Sequence, residues 1–163
     1  MHAEILLFDG FDELDALGPW EVLAGCAQVL DGVTARLVTL EGAREVPADH
    51  GLVVRAHGPL SERPDVVIVP GGGWFGRGPE GAWAEARRGA IPAALAERAR
   101  AGAVLTSVCT GALLLAEAGV LDGHRATTNP GALDDLRARG GIDVVEAAAR
   151  ELQYERPAAA VVA

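Results

Sequence analysis

Residues 103–115 have the sequence AVLTSVCTGALLL, in which an apolar, β-type run stops at Cys109 and is followed by Gly111 and good helix formers. This order is typical of a strand that turns sharply into a helix and presents a side chain at the top of a sheet. A helix N-terminus beneath a thiol favours negative charge, so we expect Cys109 to ionise more readily than an ordinary cysteine. The segment predicts a nucleophile elbow at Cys109.

Short apolar runs bounded by turn residues recur along the chain and predict buried parallel strands. The predicted strands span residues 4–8, 35–40, 66–69 and 103–108, and the predicted helices span residues 19–30, 90–101 and 112–118. Pro19 suits a first helical turn, and residues 52–55 suit a small hairpin. The alternation predicts an α/β fold, a flavodoxin-like doubly wound parallel sheet sandwiched by helices, with its active site at the carboxyl ends of the strands.

Length and charge limit the function further. The 163 residues, 50% of them hydrophobic, suit one domain over residues 1–163. The formal net charge of -9 argues against nucleic acid or an anionic membrane as a partner. All 14 basic residues are arginines, which excludes P-loop, pyridoxal Schiff-base and lysine-aldolase chemistry. The apolar runs are too short to cross a bilayer and Glu4 interrupts any signal-peptide core, so a cytoplasmic protein is expected.

The two cysteines and four histidines are scattered and form no CxxC or HExxH motif. We therefore expect neither a disulfide framework nor a zinc site, and no cofactor. Cys26 lies in an amphipathic helical pattern and is interpreted as a core residue. Cys109 remains as the candidate functional thiol.

A glycine-rich loop, residues 70–76, directly follows the predicted strand 66–69. Its glycines match G-x-G-x-x-G, but the residues after Gly76 (RGPEG) would stop any helix where a dinucleotide needs one. We interpret the loop as a flat wall of backbone N–H groups, including those of Gly72 and Gly73, that forms an oxyanion-type hole with the amide of Thr110. The alternative is a mobile loop without such a role.

The segment 9–15 follows the first predicted strand and carries four carboxylates. Most acidic residues in such positions are solvated or cap a helix. One of them could reach the pocket near Cys109, because this segment lies at the same edge of the sheet. Sequence spacing alone does not choose which one.

Three segments together resemble the ThiJ/PfpI superfamily, the class I glutamine amidotransferase-like fold, and are most similar to its isonitrile hydratases. They are ELDALGPWEV (13–22), VIVPGGG (67–73) and SVCTGALLLAEAGVLDGHRATT (107–128). The resemblance extends from the first strand to about Arg139. It implies the fold already predicted from the strand and helix pattern.

The resemblance also implies roles for single residues. Cys109 becomes the nucleophile and Asp15 the acid that faces it, Thr110 places its hydroxyl and amide beside the sulfur, and Gly72 is an anion-stabilising amide. The thiolate would attack the electrophilic carbon of an isonitrile, R–N≡C, while Asp15 protonates the nitrogen or steers a water. Hydrolysis of the thioimidate would release an N-substituted formamide. No metal or organic cofactor is implied, and a homodimer is expected.

Two departures from the family pattern bear on activity. Many relatives carry a histidine after the Thr-Thr pair, where this chain has Asn129, so a Cys–His mechanism is disfavoured. By comparison with the family pattern we also expect the chain to lack about one strand–helix unit near residues 140–150, either because the sheet is shortened or because the sequence omits residues of the natural protein. The apolar positions 142, 145, 149 and 152 fit one face of a single helix there.

Two other functions stay open at this point. One is a non-enzymatic redox-sensing or ligand-binding regulatory domain of the same superfamily, in which Cys109 is oxidised. The other is a catalytically idle paralogue, which a missing strand–helix unit would favour.

Overall fold

The computed structural model describes residues 1–146. Its strands are β1 (His2–Leu6), β2 (Thr34–Thr39), β3 (Glu45–Pro47), β4 (Val53–Arg55), β5 (Gly58–Pro59), β6 (Val66–Val69), β7 (Val104–Ser107), β8 (Arg125–Ala126) and β9 (Asp143–Val144). Its helices are α1 (Glu13–Val29), α2 (Ala82–Arg88), α3 (Ala90–Arg100), α4 (Gly111–Glu117) and α5 (Leu133–Arg137), with a 3-10 turn at Pro130–Ala132. No helix among these residues is both long and apolar enough to cross a membrane.

Five parallel strands form the central sheet in the order β5-β2-β1-β6-β7. Ile5 of β1 lies opposite Leu37 of β2 on one side and Ile68 of β6 on the other. The chain therefore moves outward from β1 in one direction through α1 and in the other direction through β6, α3 and β7. Because such crossovers are right-handed, α1 and α3 cover opposite faces of the sheet. The predicted flavodoxin-like sheet between helices is confirmed.

The core lies on both faces of β1, and Ile5, Leu6 and the following Leu7 are at most 1% exposed. This continuous burial explains why β1 has an apolar run rather than an alternating pattern. The helix α4 adds Leu113, Leu114 and Leu115 to the core, all fully buried. Each buried side chain of this size stabilises the fold by about 1.5–3 kcal/mol relative to an exposed one.

The predicted start of the first helix at residue 19 is wrong. The helix α1 begins at Glu13, because the Asp12 side chain accepts hydrogen bonds from the amides of Leu14 and Asp15 at 3.0 and 3.3 Å. Pro19 consequently lies inside the helix instead of in its first turn. A side-chain cap satisfies free amides at a helix start, and here it outweighs the preference of proline for that position.

Several smaller elements differ from the sequence pattern. The predicted hairpin is confirmed, with Val46 of β3 opposite Val54 of β4. The short strand β5 and the helix α2 were not predicted. The prediction of a single helix that begins near residue 142 is wrong at its start, because β9 forms there instead and pairs in parallel with β8. Positions 149 and 152 lie outside the described residues.

Candidate active site

The order of the strands brings three loops to one place. The chain reverses its direction across the sheet between β1 and β6, which makes the carboxyl ends of these strands a topological switch point. The segment 9–12 follows β1, the glycine-rich loop follows β6, and the turn 108–110 follows β7. The predicted site residues on these three loops therefore meet.

Cys109 lies in the turn between β7 and α4 with φ +53°, a left-handed conformation that is costly for a residue with a side chain. Hydrogen bonds hold the turn: the amide of Val108 donates to the Val69 carbonyl at 3.0 Å, and the Thr128 hydroxyl donates to the Cys109 carbonyl at 3.0 Å. A side chain at Gly111 would meet the Val69 carbonyl oxygen at 2.1 Å. The predicted sharp strand-to-helix turn at Cys109 is present; the nucleophilic role stays a prediction.

Asp15 is the carboxylate of segment 9–15 that faces Cys109. Its Oδ2 accepts a hydrogen bond from the Gly71 amide at 3.0 Å. Burial raises the pKa of Asp15, as does the charge of Asp12, while the hydrogen bond from Gly71 and the nearby Cys109 thiol oppose the rise. The carboxyl group is thus suited to holding a proton beside the sulfur.

The other three carboxylates of this segment have structural partners. Asp12 caps α1, as described above. Asp9 forms an ion pair with Arg44 at 2.6 Å, and Glu13 pairs with His50 at 2.8 Å. Only the tertiary structure separates Asp15 from these neighbours.

The expectation that Cys109 ionises readily is wrong. Burial raises the pKa of the thiol, and the charge of Asp15 raises it further. Hydrogen bonds to the sulfur from Asn129, and from the amide and hydroxyl of Thr110, lower it but do not outweigh these effects. The helix beneath the sulfur, α4, is only 7 residues long, so its dipole is small compared with the loss of solvent.

Thr110 connects the sulfur to the glycine-rich loop. Its hydroxyl oxygen accepts a hydrogen bond from the Gly72 amide at 3.2 Å. A side chain at Gly72 would meet the Asp12 amide nitrogen at 2.4 Å, so only glycine fits this close approach. Gly73 is also left-handed, at φ +62°. The loop is therefore a tightly packed wall beside the site, and the oxyanion role of Gly72 and Gly73 stays a prediction.

Asn129 is a site residue that the sequence analysis did not identify. Its Nδ2 lies 3.6 Å from the Cys109 sulfur and donates to it, and its Oδ1 accepts from the Gly131 amide at 2.9 Å. The second bond orients the amide group so that the nitrogen faces the sulfur. The feature of the sequence that indicates this role is its position directly after the Thr-Thr pair, where many relatives carry a histidine.

Within residues 1–146, no histidine forms a hydrogen bond with the Cys109 sulfur, where Asn129 does. Three histidine rings have other hydrogen-bond partners: His2 with Glu4, His50 with Glu13, and His57 with the Leu37 amide. Among residues 1–146, no cluster of three or more His, Cys, Asp or Glu side chains could hold a metal ion. The site therefore combines a half-buried thiol, a facing carboxyl group and fixed hydrogen-bond donors, a set suited to attack on a small electrophile with transfer of one proton.

Comparison with known proteins supports this description. A model of the DJ-1/PfpI family matches residues 1–160. Isonitrile hydratase of Pseudomonas putida is 35% identical over 148 residues, which cover 90% of this chain and 60% of that enzyme. The chain thus spans less than two thirds of the length of that enzyme.

Solved structures show the same fold. A ThiJ/PfpI family protein from Pseudomonas syringae superposes with a TM-score of 0.74 and 28% identity, over 90% of this chain and 57% of that one. An AraC family transcriptional regulator from Pseudomonas putida superposes with a TM-score of 0.71 and 24% identity, over 89% of this chain and 76% of the regulator.

Proposed function

This chain belongs to the DJ-1/PfpI family, and on that basis we propose that it hydrates isonitriles to N-substituted formamides, with Cys109 as nucleophile and Asp15 as proton donor. The observation that carries the proposal is the position of the Asp15 carboxyl group, which the Gly71 amide holds at 3.0 Å and whose charge acts on the Cys109 thiol. The similarity to isonitrile hydratase supports the choice of substrate.

The first step forms the carbon–sulfur bond. The sulfur of Cys109 attacks the terminal carbon of R–N≡C, and the thiol proton reaches the same carbon through Asp15, which gives the thioimidate R–N=CH–S–Cys109. Both new bonds are made to one carbon, so the donor must lie beside the sulfur. The raised pKa of Asp15 favours the protonated carboxyl group that this transfer needs.

The second step consumes water. Water adds to the thioimidate carbon while a proton moves to the nitrogen, which gives R–NH–CH(OH)–S–Cys109. Collapse of this adduct forms the formamide R–NH–CHO, and the thiol proton is restored. Thr110 and Asn129 donate hydrogen bonds to the sulfur and thus stabilise it as a leaving group. In total, one isonitrile and one water become one formamide.

The half-buried position of Cys109 and the carboxyl group beside it favour this enzyme over a redox sensor. Cysteines that sense peroxide are exposed thiolates with a low pKa, since the thiolate is the species that is oxidised. Cys109 is half-buried and its pKa is raised by burial and by Asp15. An Asp15-linked proton transfer, by contrast, uses a thiol that keeps its proton until substrate arrives.

The test is formamide production from cyclohexyl isonitrile, followed by mass spectrometry. We expect product from the wild-type chain, none from Cys109→Ala, and wild-type rates from Cys26→Ala, a matched control on α1. Absence of product from folded wild-type protein would overturn the proposal. Equal rates in both cysteine variants would overturn the assignment of the nucleophile.

Four further proposals accompany the activity. We infer that the protein acts on a small molecule, that it does so in the cytoplasm, and that it forms a homodimer. We also infer that the chain lacks about one strand–helix unit near residues 140–150 relative to the family pattern.

A further inference from the structure

A second cavity lies apart from Cys109, between α2, the C-terminal end of α4 and α5. Its volume is about 410 Å³, within the range of roughly 300–1,000 Å³ that is typical of small-molecule sites. Its polar and aromatic lining consists of Trp74, Trp83, Arg77, Arg87, Arg139, Glu117 and Asp135. None of the residues around the Cys109 sulfur lines this cavity, which we call the arginine cleft.

The charge of the arginine cleft is opposite to that of the chain. It has three arginines against two carboxylates, whereas the whole sequence has a net charge of -9. Both carboxylates already have partners inside the cleft. Asp135 accepts a hydrogen bond from Trp74 Nε1 at 2.7 Å, and Glu117 forms an ion pair with Arg139.

Two guanidinium groups remain without such partners. Within residues 1–146, neither Arg77 nor Arg87 forms an ion pair or a side-chain hydrogen bond. Arg87 instead stacks on Trp83, with its guanidinium carbon 4.9 Å from the ring centroid. This contact holds a planar donor beside an aromatic surface, an arrangement that suits bidentate binding of a carboxylate.

The backbone at Arg77 is a second, independent observation. Among the described non-glycine residues, only Cys109 and Arg77 have a left-handed φ, at +53° and +47°. Such strained conformations concentrate at active sites and ligand sites, where the surrounding structure maintains them. Cys109 lies at the candidate active site, and Arg77 lies at the arginine cleft.

We propose that the arginine cleft binds a small aromatic carboxylate. The carboxylate pairs with the guanidinium groups of Arg77 and Arg87, and the aromatic ring packs against the indole of Trp83. This proposal does not rest on the reaction proposed for Cys109, because no residue that contacts the Cys109 sulfur lines the arginine cleft.

The test uses the full chain and 1-naphthoate, an aromatic carboxylate of suitable size, with 1-naphthamide as its neutral counterpart. Binding is measured by isothermal titration calorimetry. We expect saturable binding of 1-naphthoate and none of 1-naphthamide. Arg77→Gln and Arg87→Gln should each weaken binding about tenfold, as expected for the loss of a charge-assisted hydrogen bond. Arg100→Gln, an arginine at the end of α3 outside the cleft, should bind as wild type.

Three results would overturn the proposal. The first is no saturable binding of 1-naphthoate at millimolar concentration. The second is equal binding of the neutral amide, which would indicate apolar adsorption. The third is loss of binding in Cys109→Ala together with unchanged binding in Arg87→Gln, which would place the ligand at the active site. Formamide production has no part in the test, so either proposal can fail alone.

Discussion

At the scale of single residues, the proposed reaction depends on one proton held between Cys109 and Asp15. Burial disfavours a charge on either group, and the charge of Asp15 further disfavours ionisation of the thiol. The two groups therefore titrate as a pair, and a proton lost from the sulfur is best kept on the carboxyl group. Reactivity of the thiol and turnover should then respond in opposite directions when Asp15 is neutralised.

Asp15→Asn should make Cys109 easier to ionise while it slows catalysis. The substitution removes the negative charge that raises the pKa of the thiol, so alkylation by iodoacetamide at pH 7 should become faster. Formamide production should fall by about 100-fold or more, because the proton donor is lost. The measurement is the pH profile of alkylation alongside turnover, with the exposed Asp134→Asn as control. A thiol pKa that stays unchanged in Asp15→Asn would contradict this account.

Asn129 should act in the opposite sense on the same thiol. Its amide nitrogen donates to the sulfur at 3.6 Å and lowers the pKa of Cys109. Asn129→Ala should raise that pKa and slow alkylation severalfold at neutral pH, and Asn129→Asp should slow it more, because it adds a negative charge. Thermal unfolding of each variant checks that the fold is kept. Faster alkylation in either variant would exclude a stabilising contact with the thiolate.

At the scale of elements, α1 is fixed at its first turn to the β3–β4 hairpin. Glu13 accepts hydrogen bonds from the amides of His50 and Leu52 and pairs with the His50 ring. Burial would raise the pKa of Glu13, but the bonds from His50 and the nearby amides outweigh it and hold the pKa at about 2. The same pairing raises the pKa of His50.

These shifts give the contact a defined pH window. Glu13, with a lowered pKa, stabilises the fold above its unfolded value of 4.5, and this contribution is lost as the pH falls toward 2. His50, with a raised pKa, stabilises the fold below its unfolded value of 6.5, and this contribution is lost as the pH rises through the folded value. The ion pair is therefore complete between these two unfolded values.

Glu13→Gln should destabilise the protein more at pH 5.5 than at pH 9. At the lower value the variant loses a charged partner of protonated His50, and as the pH rises through the raised pKa of His50 that charge pairing is lost in the wild type as well. Urea unfolding of wild type and variant at both pH values measures the difference. Glu41→Gln, which removes an exposed partner of Arg44, is the control. An equal loss at both values would show that the pairing of charges is not involved.

At the scale of the whole molecule, one face of α1 has no cover within the described residues. Leu14, Val22 and Val29 are 77%, 66% and 79% exposed, and they share a narrow stripe of the helix with Gly18 and Gly25. Glycines in the middle of such a stripe let another helix approach closely. The stripe therefore supports the homodimer proposed above and predicts that α1 of each copy lies at its interface.

Val22→Arg should convert the dimer to a monomer without unfolding it, since the side chain is exposed in the isolated chain and a buried charge at an interface is costly. Size-exclusion chromatography with light scattering gives the mass. Val104→Arg, an exposed valine on the edge strand β7, is the matched control. A wild-type chain that is monomeric at micromolar concentration would rule out this interface.

Local sequence patterns were sufficient for much of the fold. The central strands follow from apolar runs of four to six residues, and the turn at Cys109 follows from the cysteine and Gly111 that come shortly after β7. The local patterns did not predict elements that have no periodicity of their own. The two-residue strand β5, for example, forms only because β2 lies beside it. They also failed at the start of α1, where the Asp12 side chain competes with Pro19.

The amino-acid sequence was enough to identify Cys109 as the candidate thiol, because the strand, cysteine and glycine are adjacent in the chain. The partners of that thiol depend on the order of the strands, which brings residues 15, 109 and 129 together over long separations. This packing decides which of the four carboxylates faces the thiol, and it brings Asn129 to the sulfur. It also raises the pKa of Cys109 and places Arg77 and Arg87 in one cleft. Such properties come from burial and distance, and neither is encoded in local periodicity.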